Sequence, residues 1–304
     1  MEICISCIRP GISCIQDESI DDAMQIVDNM MYGPDYPVDH WRSRRMGGEK
    51  YELFHSEHIT IMILCICLIV AGCILYRRLG SSGKPVMRRC MAAGMILLIA
   101  LRQLYVCLAG DNIIYDLPLH LCSIAGVVCF VYEYFGKAFP EYAISVLRQA
   151  VFAVLGPGAV MAIVFTDGTM YPPIHFITIE SNLFHTLIIL YTVILFMDGE
   201  IVPDVRETYK SLIFLCTVAV PVYIFDRHFH ANYMFLLNPS VGSPFTSVYN
   251  RYGYGAYMAA FGVTVIAEIV LINLLFQKMT SGNGVSGSKM TSGDGVSDSK
   301  REKI

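Results

Sequence analysis

The sequence predicts an all-α polytopic membrane protein, a bundle of about seven transmembrane helices. Three observations carry this expectation. Hydrophobic residues make up 55% of the 304-residue chain and charged residues only 16%, where a soluble domain carries about a quarter. The scarce charges are missing from whole stretches, long enough to cross a hydrocarbon core of about 30 Å with roughly 20 apolar residues of helix. Lys and Arg, finally, gather in alternate connections between those stretches. Mean hydropathy is +0.52, and a net charge of −4 points to no nucleic-acid partner.

The elements follow in order. Residues 1–57 read as an acidic extramembrane arm, with Pro34, Pro37 and the glycine pair Gly47–Gly48 marking loop. The opening MEICISCIRPGISC has neither a basic n-region nor a continuous apolar h-region, so the first helix is expected to act as its own insertion signal. Cys4, Cys7 and Cys14 form a CxxC plus one, without a second pair at zinc-finger spacing; eight of the eleven cysteines lie in or beside apolar segments. There they read mainly as small apolar helix residues.

The seven-helix domain spans 58–277, with helices expected near 58–76, 91–109, 117–135, 143–165, 175–197, 211–227 and 256–276. The first, HITIMILCICLIVAGCILY, contains no Asp, Glu, Lys or Arg. In the fourth, LGPGAV places Pro157 between two glycines, which predicts a kink because proline removes a helical hydrogen bond. Residues 278–304 hold a tandem repeat, MTSGNGVSGSK then MTSGDGVSDSK, too rich in Gly and Ser to bury a core.

Orientation follows from the loops. The first carries Arg77, Arg78, Lys84, Arg88 and Arg89, whereas the second, GDNIIYD, has two Asp and no base. Arg206, Lys210 and the basic tail fall on the side of the first loop. This predicts an outward or lumenal N-terminus and a cytosolic C-terminus, although Arg42, Arg44, Arg45 and Lys50 argue the other way.

Polar groups inside lipid must face the bundle interior or a wet cavity, so each marks a candidate site. In DLPLHLCSIAGVV, a helix would put Asp116 and His120 on one face and Cys122 among Pro118, Ala125 and Gly126. A nucleophilic cysteine needs such open, small-residue surroundings and a nearby base. In HFITIESNLFHTLIIL, Ser181 and Asn182 form a polar stripe that ends at His185. FDRHFHANYMFLLNP pairs Asp226 with His230 and His228 with Asn232 at i,i+4, with Tyr233 following. Together with His120 and His175, the residues Asp226, His228 and His230 are an alternative zinc-ligand set. Arg102, mid-span beside Gln103, needs a carboxylate or a ligand phosphate. Glu180 and Glu268 are its candidate partners.

Four segments in order over roughly 51–276 carry a resemblance: YELFHSEHIT, DLPLHLCSIA, NLFHTLIIL and ANYMFLLNPSVGSPF. They are similar to the YwaF-like integral membrane family that includes transmembrane protein 164. The resemblance implies a membrane acyltransferase that moves fatty acyl chains between phospholipids, ether lipids included. It implies Cys122 as nucleophile and His185 as its histidine partner, with no cofactor. More distantly, the bundle is similar to membrane hydrolases of fatty-acid esters that use Thr and His. Bacterial members of the broader family have no settled role. Asp116, His120, Arg102, Asn182, Asn232, Tyr233, Asp226 and His230 are then supporting or substrate-binding candidates. The expected partners are phospholipid and lysophospholipid, and the expected location is the endoplasmic reticulum or another endomembrane. The headgroup, acyl chain and protein partners are not legible. The expected spans leave Cys122 and His185 at depths that differ by roughly 7 Å at 1.5 Å per residue. A cavity lined by Cys122, His185 and Asn232 is expected at the outer end. A zinc-dependent lipid hydrolase and a non-enzymatic receptor or transporter are the competing readings.

Overall fold

The computed structural model describes residues 53–109, 113–166, 171–240 and 243–282; the N-terminal cysteines, most of the arm and the repeat tail lie outside them. Among the described residues every regular element is helical, and seven helices are long and apolar enough to span a membrane. They are α1 (Ser56–Arg78), α2 (Gly83–Leu108), α3 (Leu121–Phe135), α4 (Glu141–Val164), α5 (Phe176–Met197), α6 (Thr208–Phe229) and α7 (Pro244–Gly282).

In α1, Glu57 occupies the first turn and Arg77 and Arg78 the last. These charges complement the partial charges of the helix ends. α4 and α5 form the centre: 61% and 56% of their spanning windows are buried, against 11% for α1 and α7. Close helix approach in lipid depends on small residues, and two glycines supply it here. A Cβ on Gly72 would come 2.5 Å from Leu190, and one on Gly126 would come 3.0 Å from Phe184. Polar glue joins α4, α6 and α7. Gln149 Nε2 donates to Asn273 Oδ1 at 2.7 Å, and Ser211 Oγ donates to the Gln149 carbonyl at 3.3 Å.

α2 begins eight residues before its expected start at 91, and α7 runs on past 276, while ahead of 256 its residues 244–252 form a helix broken from the span at Gly253 (φ 81°). Apolar run length marks the lipid-buried core of a helix and misses its polar extensions. α4 departs from uniform geometry earlier than Pro157: residues Val151–Leu155 form a π-helical turn, and Pro157 sits in the first turn of the following α-segment. The wider turn absorbs the hydrogen bond that proline cannot make.

The two ends of the bundle are tied differently. At the end joining α1 to α2, Arg88 Nε meets Glu133 Oε1 at 2.7 Å, and Nη1 reaches both Glu200 and Asp198. Tyr191 donates to Glu133 at 2.7 Å, Tyr132 to Glu200 and Tyr76 to Asp198, while Lys84 pairs with Asp198 at 3.4 Å. This clasp links α1, α2, α3, α5 and the connection after α5.

At the opposite end, the segment after α6 does the tying. His230, Met234 and Phe235 all have φ between 54° and 57°, a left-handed backbone that costs about 1–2 kcal/mol per non-glycine residue. Side-chain bonds hold it there. Asn232 Oδ1 accepts from the Leu237 and Asn238 amides at 3.0 Å each, and Nδ2 donates to the Asn238 carbonyl at 3.0 Å. Asp226 Oδ1 accepts from the Tyr233 amide at 3.1 Å, and Tyr257 donates to the Phe235 carbonyl.

Candidate functional site

The segment 113–120 between α2 and α3 positions the site: Ile113–Tyr115 form a short 3-10 turn, and residues 117–120, expected to be helical, are not. Pro118 biases Leu117 away from helical backbone, and His120 is extended (φ −66°, ψ 148°) as the N-cap of α3. Asp116 and His120 therefore do not share a helix face, and α3 starts at Leu121 rather than 117.

The segment folds back into the bundle. Gln103 Nε2 donates to the Asp116 carbonyl at 2.6 Å, and Arg102 Nη2 lies 3.8 Å from Asp116 Oδ1. Residue 102 is six residues before the end of α2 at Leu108, about 9 Å at 1.5 Å per residue. Irregular backbone at membrane depth must find partners within the protein, and Tyr233 provides two. Its hydroxyl accepts from the Leu117 amide at 2.7 Å and donates to the Ile114 carbonyl at 2.6 Å. The Tyr233 ring also packs edge-on against His120, centroids 4.9 Å apart.

This re-entry removes the expected depth mismatch. Cys122, half-buried in the first turn of α3, faces the ring of His185 on α5, close enough for the two side chains to interact. His185 Nδ1 lies 2.6 Å from the Ser181 carbonyl oxygen and 3.4 Å from Ser181 Oγ. A carbonyl only accepts, so Nδ1 carries the ring hydrogen and Nε2 presents its lone pair to the thiol. The free backbone amide of Ser123, in the first turn of the helix, also approaches the sulfur. Cys129, seven residues further along α3, is fully buried.

Arg102 sits beside this pair. Nη1 contacts Glu180 Oε2 at 3.2 Å, and a third of the arginine side chain stays exposed. Of the two expected partners Glu180 is the one engaged, Glu180 itself being buried. Asn182 turns to its own helix, donating to the Thr178 carbonyl at 2.8 Å. Asn232 and Tyr233 hold backbone, as described, and His230 is the left-handed C-cap of α6. Asp226 is fully buried and its Oδ2 has no hydrogen-bond partner among the described residues.

The alternative zinc set is not brought together. Among the described residues no three His, Cys, Asp or Glu side chains converge. His175 Nδ1 accepts from the Ile177 amide at 3.2 Å and Nε2 meets the Tyr105 hydroxyl at 3.2 Å, so both ring nitrogens are occupied. Burial holds this imidazole below its ordinary pKa. His228 packs edge-on against Phe229, away from His120 on the re-entrant segment.

A space of about 320 Å³ runs between α4, α5 and α7, and none of Cys122, His185 and Asn232 lines it. Its walls are apolar side chains that alternation-free hydrophobic spans give no means of distinguishing from lipid-facing ones. The sequence reading likewise missed the structural roles of Gln103 and Tyr233 and the Arg88 clasp.

A model of the TMEM164 family matches residues 53–280, well over half of the chain. No curated protein and no solved structure matches it. The chain belongs to the TMEM164 family.

Proposed function

We propose that this family member is a multi-pass membrane acyltransferase that moves fatty acyl chains between phospholipids through a thioester on Cys122. The observation that supports the reading most is that Cys122 and His185 face each other, with Nδ1 of the histidine tied to the Ser181 carbonyl. That arrangement is the nucleophile–base–orienter logic of covalent catalysis.

In the first half-reaction, the Cys122 thiol proton passes to His185 Nε2 and the sulfur attacks the ester carbonyl of a phospholipid. A tetrahedral oxyanion forms near the amide-rich start of α3, where a helix end favours negative charge. The C–O ester bond then breaks. The leaving oxygen takes the proton back from Nε2, releasing a lysophospholipid and leaving an acyl-thioester. In the second half-reaction an acceptor lysophospholipid hydroxyl gives its proton to Nε2 and attacks the thioester. The C–S bond breaks, and the sulfur regains a proton from Nε2. Apolar surroundings keep water from competing as acceptor. The scheme uses no metal or cofactor. Arg102, with a third of its side chain open and Glu180 and Asp116 holding it, is placed to meet a lipid phosphate. The site faces the lumen of an endomembrane if the basic loops are cytosolic.

The test uses purified protein, a phospholipid and a lysophospholipid. Acyl transfer is expected through a hydroxylamine-sensitive adduct on Cys122. Cys122→Ser should abolish the adduct and reduce transfer far more than Cys129→Ser, and His185→Ala should block adduct formation. Transfer that survives Cys122→Ser but is lost with EDTA would overturn this reading in favour of a metal hydrolase. No turnover by a folded protein would favour a receptor or transporter.

A further inference from the structure

The cavity between α4, α5 and α7 has an ordered interior. On α5 its lining residues Ile189, Thr192 and Phe196 follow His185 at steps of four, three and four. They therefore continue the helical face that presents the imidazole. At the far end three phenylalanines meet. Phe276 packs edge-on against Phe152 and Phe196, with centroids 5.3 and 5.4 Å apart, and Phe152 stacks on Phe196 at 6.1 Å. At the near end stand Val160 of α4, Ile189 of α5 and Glu268 of α7. Glu268 lies eight residues above Phe276 on α7, about 12 Å along the axis. The start of α3 reaches this end, since Leu121 comes within 4.0 Å of where a Cβ on Gly158 would sit, next to the lining residue Pro157.

The groove thus has its one ionisable group, Glu268, at the end nearer His185 along α5, and an aromatic floor at the other. From His185 to Phe196 is eleven residues, about 16 Å along the helix. One leaflet of a bilayer is about 15 Å of hydrocarbon, so the distance from reactive centre to floor is that of one lipid chain. The 320 Å³ volume falls at the low end of ligand pockets and suits a single slender chain rather than a whole lipid.

We propose that this groove holds the fatty acyl chain of the lipid acted on at Cys122 and that the Phe152–Phe196–Phe276 floor limits the chain length accepted. The occupant rests on the acyl-transfer reading; the geometry of the floor does not. A chain too long for the groove must fold back or leave between helices, so its carbonyl is carried away from the sulfur. Removing one ring deepens the groove and moves that limit outward.

Two readouts keep the inference separate from the reading beneath it. In the first, full-length protein in vesicles receives phosphatidylcholines with a series of saturated chains, and adducts on Cys122 are weighed by mass spectrometry. Phe196→Ala should shift the ratio of long to short adducts upward by roughly fivefold or more, because a methylene forced into a full apolar site is opposed by about that factor and the missing ring makes room for it. Phe130→Ala, on α3 away from the groove, should leave the ratio unchanged. In the second, the Cys122→Ser protein is photolysed with phosphatidylcholine carrying a palmitoyl chain tipped with a diazirine, and labelled peptides are mapped. Labels on Phe152, Phe196 or Phe276 support the groove even if no transfer is ever detected. Adducts with an unshifted ratio in Phe196→Ala, or labels spread over α1 and α6 instead of the floor, overturn it.

Discussion

Tyr233→Phe removes one oxygen and tests why the re-entrant segment stays in place. That hydroxyl accepts from the Leu117 amide at 2.7 Å and donates to the Ile114 carbonyl at 2.6 Å. Phenylalanine keeps the ring, its contact with His120 and the amide bond to Asp226, so the change isolates the two bridging bonds. Each backbone group left without its partner costs about 1–3 kcal/mol in a buried setting, and hydrogen bonds in membrane proteins average nearer 0.6. A loss of roughly 2–3 kcal/mol is expected for the pair. At about 2–4 °C per kcal/mol for a domain of this size, the thermal midpoint in detergent or nanodiscs should fall by roughly 4–12 °C. The same substitution should speed alkylation of Cys122 by a membrane-permeant maleimide and slow its acylation, since the sulfur follows the segment. Tyr134→Phe removes an exposed hydroxyl that meets the Arg89 carbonyl at 3.3 Å and should shift the midpoint by little. Equal midpoints for the two variants, with unchanged Cys122 reactivity, would refute the view that Tyr233 holds the segment at depth.

Arg88→Leu should destabilise by about 3–5 kcal/mol, because it strands the Glu133 carboxylate, only 5% exposed at the side chain, without its cation. Adding Glu133→Leu should recover part of that loss, and a double variant worse than the single by the full cost of Glu133→Leu would deny the coupling. Gly126→Ala places a Cβ 3.0 Å from Phe184 Cζ and 3.2 Å from Ile99, pushing α5 from α3 beside His185. Adduct formation should drop about tenfold or more, given how steeply reactivity falls with misplacement. Gly94→Ala, with nothing within 4 Å, should not change it. Protease added to sealed vesicles should clip the repeat tail and spare the acidic arm, and the reverse pattern would invert the topology.

The spans were readable because the requirement for apolar length acts on sequence directly. Their ends were not, since Gly83–Cys90 and Pro244–Tyr252 are polar enough to read as loop yet are helical in the structure. Cys122 and His185 stood out as polar residues in small-residue or apolar company. Their meeting did not, because it depends on the chain from Ile113 to His120 descending into the bundle, and Pro118 alone does not announce that. The role of ANYMFLLNP was hidden for a related reason. Asn232 and Tyr233 look like ligand groups in one dimension, and only their partners reveal that they hold main chain. Acids and bases far apart in the sequence, such as Arg88 with Glu200, 112 residues on, leave no local pattern at all.

The wide turn at Val151–Leu155 also fixes how α4 can change over time. It carries one residue more than a regular helix of the same rise, and every residue of an α-helix advances the angle by about 100°. Losing a single residue there would not shorten the protein noticeably. It would close the turn to a regular helix and leave Pro157, Val160 and Met161 on their present faces while Gln149 kept its grip on Asn273. For this stretch, then, a one-residue deletion is a tolerated edit, whereas one made elsewhere in α4 turns the whole remainder of the helix by about 100°.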